Sequence, residues 1–342
     1  MTPHVGLCSR RTLLAASAGL SLGLGLRLAV AQDATPATDG EAAWSFVDGM
    51  GETLTLPAMP ENVVASLALA AALWDYGVRP VGIFGTPLGP DGTREVYAGD
   101  IDLDSVVNIS ETYGELDLEK LIQLDPDLFV NEMWSRPPDV WGLDPDGLAQ
   151  LTTMTPVVQI RYVEQPVTET LKSLETLAGL LGADLNDPAL VADKEAFEQA
   201  SADLRAAIAA KPGLKVLVMS GTPEESMWIS SPRQSADLLY FQELGLDMVE
   251  PETTTNMEYW EELSWEQAGK YPVDLFLIDS RQWSATGEQL VEKVPTFAAL
   301  PAAKAGQFGG WDIEYVPSYK GFTPVLQRLT EVIRNADPDI VP

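Results

Sequence analysis

From Trp44 onward, short apolar runs alternate with longer stretches whose apolar residues recur at helical spacing. Residues 53–56 alternate apolar and polar, like a half-buried strand. Residues 63–67, 80–85, 127–130 and 156–160 are predominantly apolar runs of the buried-strand kind. Between them, residues 68–76 (ended by Gly77) and 116–124 (closed by Asp125-Pro126) predict helices. Strands alternating with helices specify a parallel sheet covered on both faces. That rhythm stops at residues 167–181 and 188–210, which predict two successive long helices. It resumes with strands at 215–219 and 274–278, a shorter strand ending near Trp228, helices over 236–244 and 265–270, and a final amphipathic helix over 325–335.

The two halves echo one another. Leu116-Asp117-Leu118-Glu119-Lys120-Leu121 followed by Asp127-Leu128-Phe129-Val130 matches Leu263-Ser264-Trp265-Glu266-Gln267-Ala268 followed by Asp274-Leu275-Phe276-Leu277. Each reads as a short capped helix carrying a glutamate, then a buried strand opening on Asp-Leu-Phe. The pattern predicts an α/β protein with two Rossmann-like lobes of mainly parallel sheet, over 44–165 and 211–342, joined by connecting helices over 166–210.

The residues ahead of that pattern are read as an export address. Ser9-Arg10-Arg11-Thr12, an apolar run from Leu13 to Leu26, and Ala29-Val30-Ala31 before Gln32 make a charged n-region, an apolar h-region and a small-x-small cleavage site. The arginine pair after a serine adds the twin-arginine pattern. Residues 1–31 are thus expected to be a twin-arginine-type signal peptide and 32–43 a flexible tether. That places the protein in the periplasm or at the outer face of the cytoplasmic membrane. Retention as an uncleaved anchor is the alternative, opposed by Arg27, a charge that costs about 2.5–3.5 kcal/mol at the centre of a spanning helix.

Cleavage there removes the only histidine, His4, and the only cysteine, Cys8. Disulfides, thiolate nucleophiles, imidazole bases and His/Cys zinc sites are then excluded. Cys8 precedes the arginines, so it is misplaced for lipidation. Residues 32–342 keep all 51 acids but 18 of the 21 bases, a net charge of −33. Such a chain repels phosphate backbones and is a poor partner for nucleic acid.

Two segments carry a family resemblance. Phe46-Val47-Asp48-Gly49-Met50-Gly51-Glu52-Thr53-Leu54-Thr55-Leu56-Pro57 is similar to the first hairpin, and Asp117-Leu118-Glu119-Lys120-Leu121 with Leu124-Asp125-Pro126-Asp127-Leu128 to the most recognisable segment, of exported solute-binding proteins of ATP-binding-cassette importers for ferric siderophores, haem and cobalamin. The family's basic residue before the first buried strand is replaced here by Glu61-Asn62. The resemblance implies two lobes bridged by a single long rigid helix, 167–181, with a ligand cleft between them. It implies a monomer without catalysis or resident cofactor, which captures a ferric siderophore and delivers it to a membrane permease. The same role for cobalamin or haem stays open. In the family one surface glutamate per lobe meets arginines of the permease, and Glu119 and Glu266 hold matching positions in the two echoes.

Ligands of open parallel sheets bind beyond the carboxyl ends of the strands. Those ends carry Trp134 and Arg136, Arg161 and Tyr162, Trp228 and Arg233, Arg281 and Trp283, and Trp311. Arginine–aromatic pairs recurring in a base-poor chain suit a ligand that is anionic, flat and partly apolar. No metal site is expected, so iron would arrive already chelated. Asp100, Asp102, Asp104, Asn108 and Glu111 stand at calcium-loop positions, but Ser105 occupies the glycine position, and the segment reads as an acidic loop. A secreted carboxylate-dependent hydrolase is the competing class. Its carboxylate pair is not singled out by the sequence, and the Gly-x-Ser-x-Gly elbow of serine hydrolases is absent.

Overall fold

The computed structural model describes residues 44–110, 112, 114–134, 143, 145–254 and 259–341, all within the unit Glu41–Pro342. An antiparallel hairpin, β1 (Trp44–Val47) with β2 (Thr53–Leu56), precedes the first sheet. That sheet holds β3 (Val63–Ser66), β4 (Gly82–Phe84), β5 (Val107–Asn108), β6 (Leu128–Met133) and β7 (Val157–Arg161), all parallel, in the order β5-β4-β3-β6-β7. Its central strands are buried on both faces because helices cover them, as their unbroken apolar runs require. The connecting α1 (Leu67–Asp75) is buried from Leu67 to Leu73, an all-round apolar helix sunk in the core. α2 (Leu118–Leu124) and α3 (Pro145–Met154) complete this half.

Two helices, α4 (Val167–Leu180) and α5 (Pro188–Ala209), then lead to the second sheet. It contains β8 (Lys215–Gly221), β9 (Met227–Ser230), β10 (Asp247–Met248), β11 (Trp260–Leu263), β12 (Leu275–Asp279) and β13 (Phe308–Trp311). The order is β11-β9-β8-β12-β13, with β10 also on β8. β8, β10, β12 and β13 are parallel, and the β9–β11 edge is antiparallel. α6 (Ala236–Glu243), α7 (Gly287–Lys293), α8 (Pro295–Ala298), α9 (Pro301–Lys304) and α10 (Tyr319–Asn335) belong to this half. The protein is therefore α/β with two mainly parallel sheets and a long helical connection. Gly309 keeps β13 flat where α10 crosses it: a Cβ there would lie 2.5 Å from Val332 Cγ1.

The echo between the halves has a physical basis. Asp127, just ahead of β6, accepts the N–H groups of Glu61 and Asn62 at 2.9 Å each, at the entry to β3. Asp274, just ahead of β12, accepts the Lys215 N–H at 2.9 Å, at the entry to β8. Each aspartate thus fixes the register of the central strand pair of its sheet. The echoing helices differ, however. Asp117 caps α2 by accepting the Lys120 N–H at 3.0 Å, whereas residues 265–267 form one 3₁₀ turn and Ser264 makes no capping bond. The last helix begins six residues earlier than its apolar period indicates. The Ser318 hydroxyl caps it by accepting the Gly321 N–H at 2.9 Å, and Gly321 and Pro324 mask the start.

The first turn of α10 ties the halves together. Ser318 Oγ donates to Asp75 at 2.6 Å, and Lys320 pairs with Asp75 at 3.2 Å and Asp100 at 2.5 Å. Tyr319 donates to Glu175 on α4 at 2.8 Å. Asp100, the first position of the sequence's calcium-loop pattern, is thus occupied by a lysine.

Candidate functional site

The first sheet's order reverses between β3 and β6, and the ends of those strands are where an open sheet leaves a crevice. Ser66, at the end of β3, donates to Asn131 Oδ1 on β6 at 3.4 Å. Asn131 in turn donates to Gln159 on β7 at 2.7 Å. Past them, Trp134 lies on Tyr162 with ring centroids 4.6 Å apart, and its indole N–H donates to Glu132 at 2.9 Å. Tyr162 is buried, and its hydroxyl finds no hydrogen-bond partner among the described residues. Burial holds that hydroxyl protonated far above its ordinary range, with the charge of Glu132 and the Tyr315 hydroxyl adding.

Tyr315 follows β13, so at this point the two sheets' loops meet. Trp311 ends β13 and is buried; its indole N–H donates to Asp237 at 2.7 Å. Asp237 also accepts from Ser235, whose Oγ receives the Tyr259 hydroxyl at 3.2 Å. Burial pushes the Asp237 carboxyl upward against the hydrogen bonds from Ser235 and Trp311. Trp260 packs edge-on against Trp311 at 6.0 Å and tilted on Tyr259 at 4.9 Å. At the end of β12 the buried Asp279 holds the Arg281 guanidinium with N···O distances of 3.0, 3.0 and 2.7 Å. That guanidinium lies 4.5 Å from the Trp283 ring centroid, and the Trp283 side chain is 54% exposed.

Between these walls stand further groups. Tyr97 is half-buried, and burial raises its pKa against a hydrogen bond with Thr86, while Glu314, Glu95 and Glu132 push the same way. Burial also raises the Glu314 carboxyl; Arg281 opposes the rise, and Glu95 and Asp279 reinforce it. Acidic groups of both halves, Glu95 and Glu132 from the first and Glu314 from the second, therefore act electrostatically on the same partly buried neighbourhood.

The sequence-predicted residues are distributed unevenly around it. Trp134 pairs with Tyr162 at the end of the first sheet and Arg281 with Trp283 at the end of the second, while Trp311 is buried against Trp260. Arg161 turns toward the loop after β7, donating to the Val163 carbonyl at 2.8 Å and Glu164 at 2.6 Å. It lines a cavity of about 420 Å³ with the β1–β2 turn and α4. Arg233 is exposed and pairs with Glu250 at 3.2 Å. Trp228 is half-buried on β9, in register with Glu262 of β11. Arg136 lies outside the described residues. Glu119 and Glu266 are both exposed, each in the first turn of its short helix.

Glu95, Tyr97, Glu132, Tyr259, Trp260, Glu314 and Tyr315 were not among the sequence candidates. Glu132 stood in the same strand-end segment as Trp134, and weighing acids beside bases would have found it. Trp260 opens the edge strand β11 and Tyr97 lies in a 3₁₀ turn, while the others sit in irregular connections without periodicity.

Over residues 64–315 the sequence matches the periplasmic binding protein family, and the chain belongs to it. The solved structure of DesE, a ferric-siderophore receptor protein from Streptomyces coelicolor, is 36% identical, covers 86% of this chain and 99% of its own, and superposes with a TM-score of 0.76. YclQ, a petrobactin-binding protein from Bacillus subtilis, is 15% identical over 86% of this chain and 100% of its own, with a TM-score of 0.64. VctP, a periplasmic catecholate-siderophore binding protein from Vibrio cholerae, is 16% identical over 85% and 99%, with a TM-score of 0.61. At such identities the last two share the fold alone. Comparison with curated proteins gives no match. The family and these relatives are binding proteins rather than enzymes, and no described helix is long and apolar enough to cross a membrane.

Proposed function

We propose that this protein captures a ferric siderophore in the crevice between its two sheets and delivers it to the permease of an ATP-binding-cassette importer. The observation that carries the reading is the 36% identity to a ferric-siderophore receptor across almost the whole of both folded chains. The aromatic groups of the crevice support it: Trp134 on Tyr162 and the exposed Trp283 offer flat apolar faces to a large chelate. Residues 1–31 act as the export signal, which puts the protein in the periplasm or at the outer face of the cytoplasmic membrane, and it works there as a monomer. It performs no catalysis and needs no cofactor of its own.

Glu119 and Glu266 are the docking charges. Both are exposed, and they hold equivalent positions ahead of β6 and β12, which suits a two-fold symmetric permease. The test is tryptophan fluorescence against a panel of ferric siderophores, haem and cobalamin. Saturable quenching by ferric siderophores alone supports the reading. Quenching confined to haem or cobalamin, or by none of the panel, overturns it.

A further inference from the structure

Among the described residues, the Asp75 carboxylate finds its hydrogen-bond partners only in the other half of the molecule. Asp75 ends α1 in the first half, and its side chain is 7% exposed. Ser318 Oγ donates to one carboxylate oxygen at 2.6 Å and Lys320 Nζ to the other at 3.2 Å, both from the start of α10. Ser318 is doubly engaged, because the same Oγ accepts the Gly321 N–H that caps α10. Lys320 also reaches Asp100, in the β4–β5 connection of the first half.

The surroundings are closely packed. Tyr319 stands edge-on to Tyr76 with ring centroids 6.1 Å apart, and donates to Glu175 on α4 at 2.8 Å. Gly99 lies against Val316: a Cβ there would sit 3.1 Å from Val316 Cγ2 and 3.0 Å from Ala71 Cβ. α1, α4 and the start of α10 thus meet around one carboxylate. α1 leaves the crevice end of β3 and runs for nine residues, so Asp75 is set back about 13 Å along the helix axis. Residues 311–318 lead from Trp311, at the crevice end of β13, to the same point.

Moving α10 off α1 would leave Asp75 without its cation while most of its side chain stays covered, the strongly unfavourable case for a charge. The Lys320–Asp100 pair is different, because the Asp100 side chain is 70% exposed and such pairs contribute little. The restraint between the halves therefore resides in Asp75.

We propose that Asp75, Ser318 and Lys320 form a latch behind the crevice that holds the two halves at one spacing, and that without it the halves rock about α4. With the latch closed the crevice is preformed, and binding energy is not spent on drawing its walls together. The latch belongs to the ligand-free protein and does not depend on which molecule the crevice takes.

The test is a pulsed electron-paramagnetic-resonance distance measurement on the ligand-free mature protein. Residues 32–342 contain no cysteine, so Ile122→Cys on α2 and Lys304→Cys on α9, both exposed, put one spin label on each half. With the latch intact, one narrow distance distribution is expected. Asp75→Asn keeps an acceptor for Ser318 but removes the charge that opening would strand, and Lys320→Met removes the cation. Each should add a second distance and raise the fraction of displaced molecules about tenfold or more. Asp100→Asn should leave the distribution as it is, and circular dichroism with urea melts shows that each variant is folded. Unchanged distributions in Asp75→Asn and Lys320→Met overturn the proposal, and so does an equal effect of Asp100→Asn. Loss of the fold in both latch variants would assign Asp75 to the core and overturn it as well.

Discussion

Arg281 and Asp279 form a bidentate ion pair two residues apart, with the carboxylate fully buried and the guanidinium about three-quarters buried. The backbone N–H of Arg281 donates to the same carboxylate at 3.0 Å, so the turn leaving β12 is locked by one side chain. Removing the cation should strand a buried charge. Arg281→Gln is expected to cost about 3 kcal/mol in urea unfolding, the lower end for a broken buried pair because the guanidinium keeps some water. Arg281→Gln with Asp279→Asn should recover most of that loss. If the single variant left stability unchanged, the pair would hold nothing together.

Tyr162 separates a binding role from a packing role. Phenylalanine keeps the tilted ring contact with Trp134 and removes a hydroxyl that has no partner among the described residues. Tyr162→Phe should therefore stabilise the ligand-free protein by about 1 kcal/mol while weakening siderophore affinity. Loss of stability with unaltered affinity would show that the hydroxyl serves the fold.

Glu261 gives a stability signal in acid. Burial pushes this carboxyl upward, but hydrogen bonds from Lys270 at 2.6 Å, Tyr271 at 2.7 Å and Thr253 at 2.9 Å outweigh it, and the pKa lies below its ordinary 4.5. A lowered folded-state pKa means the unfolded chain binds the proton more readily. The stabilisation is thus complete above the ordinary value and is lost as pH falls through the lowered one. Lys270→Met should weaken the protein at neutral pH and flatten this acid limb in pH-dependent urea melts. An unchanged limb would exclude Glu261 as its source.

Asp237 works in the opposite sense. Burial, countered by hydrogen bonds from Ser235 and Trp311, raises its pKa above the ordinary 3.8, so the folded protein holds the proton longer than the unfolded chain. Its contribution to stability falls as pH rises from 3.8 through the raised value. Trp311→Phe removes one of the two side-chain donors and should cost about 1–3 kcal/mol, more at neutral pH than in acid. Equal cost at both pH values would contradict the assignment.

Docking is tested by Glu119→Arg with Glu266→Arg. Exposed charges govern encounter more than pocket affinity. Uptake of radiolabelled ferric siderophore into cells should fail while solution affinity stays at its wild-type value. Normal uptake would return both glutamates to simple helix-end charges.

Much of this was legible in the chain. The central strands β3, β6, β8 and β12 read correctly because burial on both faces writes an unbroken apolar run. α7 to α9 were missed because their periods are shorter than a pattern needs. The β9–β11 edge was half seen, since only Trp228 and its neighbours carry strand character. For the proposed site, strand ends singled out Trp134, Tyr162, Arg281 and Trp283, which the structure pairs as Trp134 on Tyr162 and Arg281 on Trp283. Glu164 and Asp279 stand close enough in sequence to have been read as partners of Arg161 and Arg281, whereas Glu250 comes 17 positions after Arg233 and is brought to it only by folding. Nor could sequence place Glu95 beside Glu314, which come from different halves of the chain.

The most direct test of the central claim is calorimetric titration of the mature protein with an intact ferric siderophore, the same siderophore without iron, and ferric iron held by a weak chelator. A one-to-one isotherm for the ferric siderophore, with weaker binding of the iron-free form and no tight stoichiometric binding of weakly chelated iron, is the predicted result. A tight one-to-one isotherm with weakly chelated iron, or none with any ferric siderophore, would contradict the account.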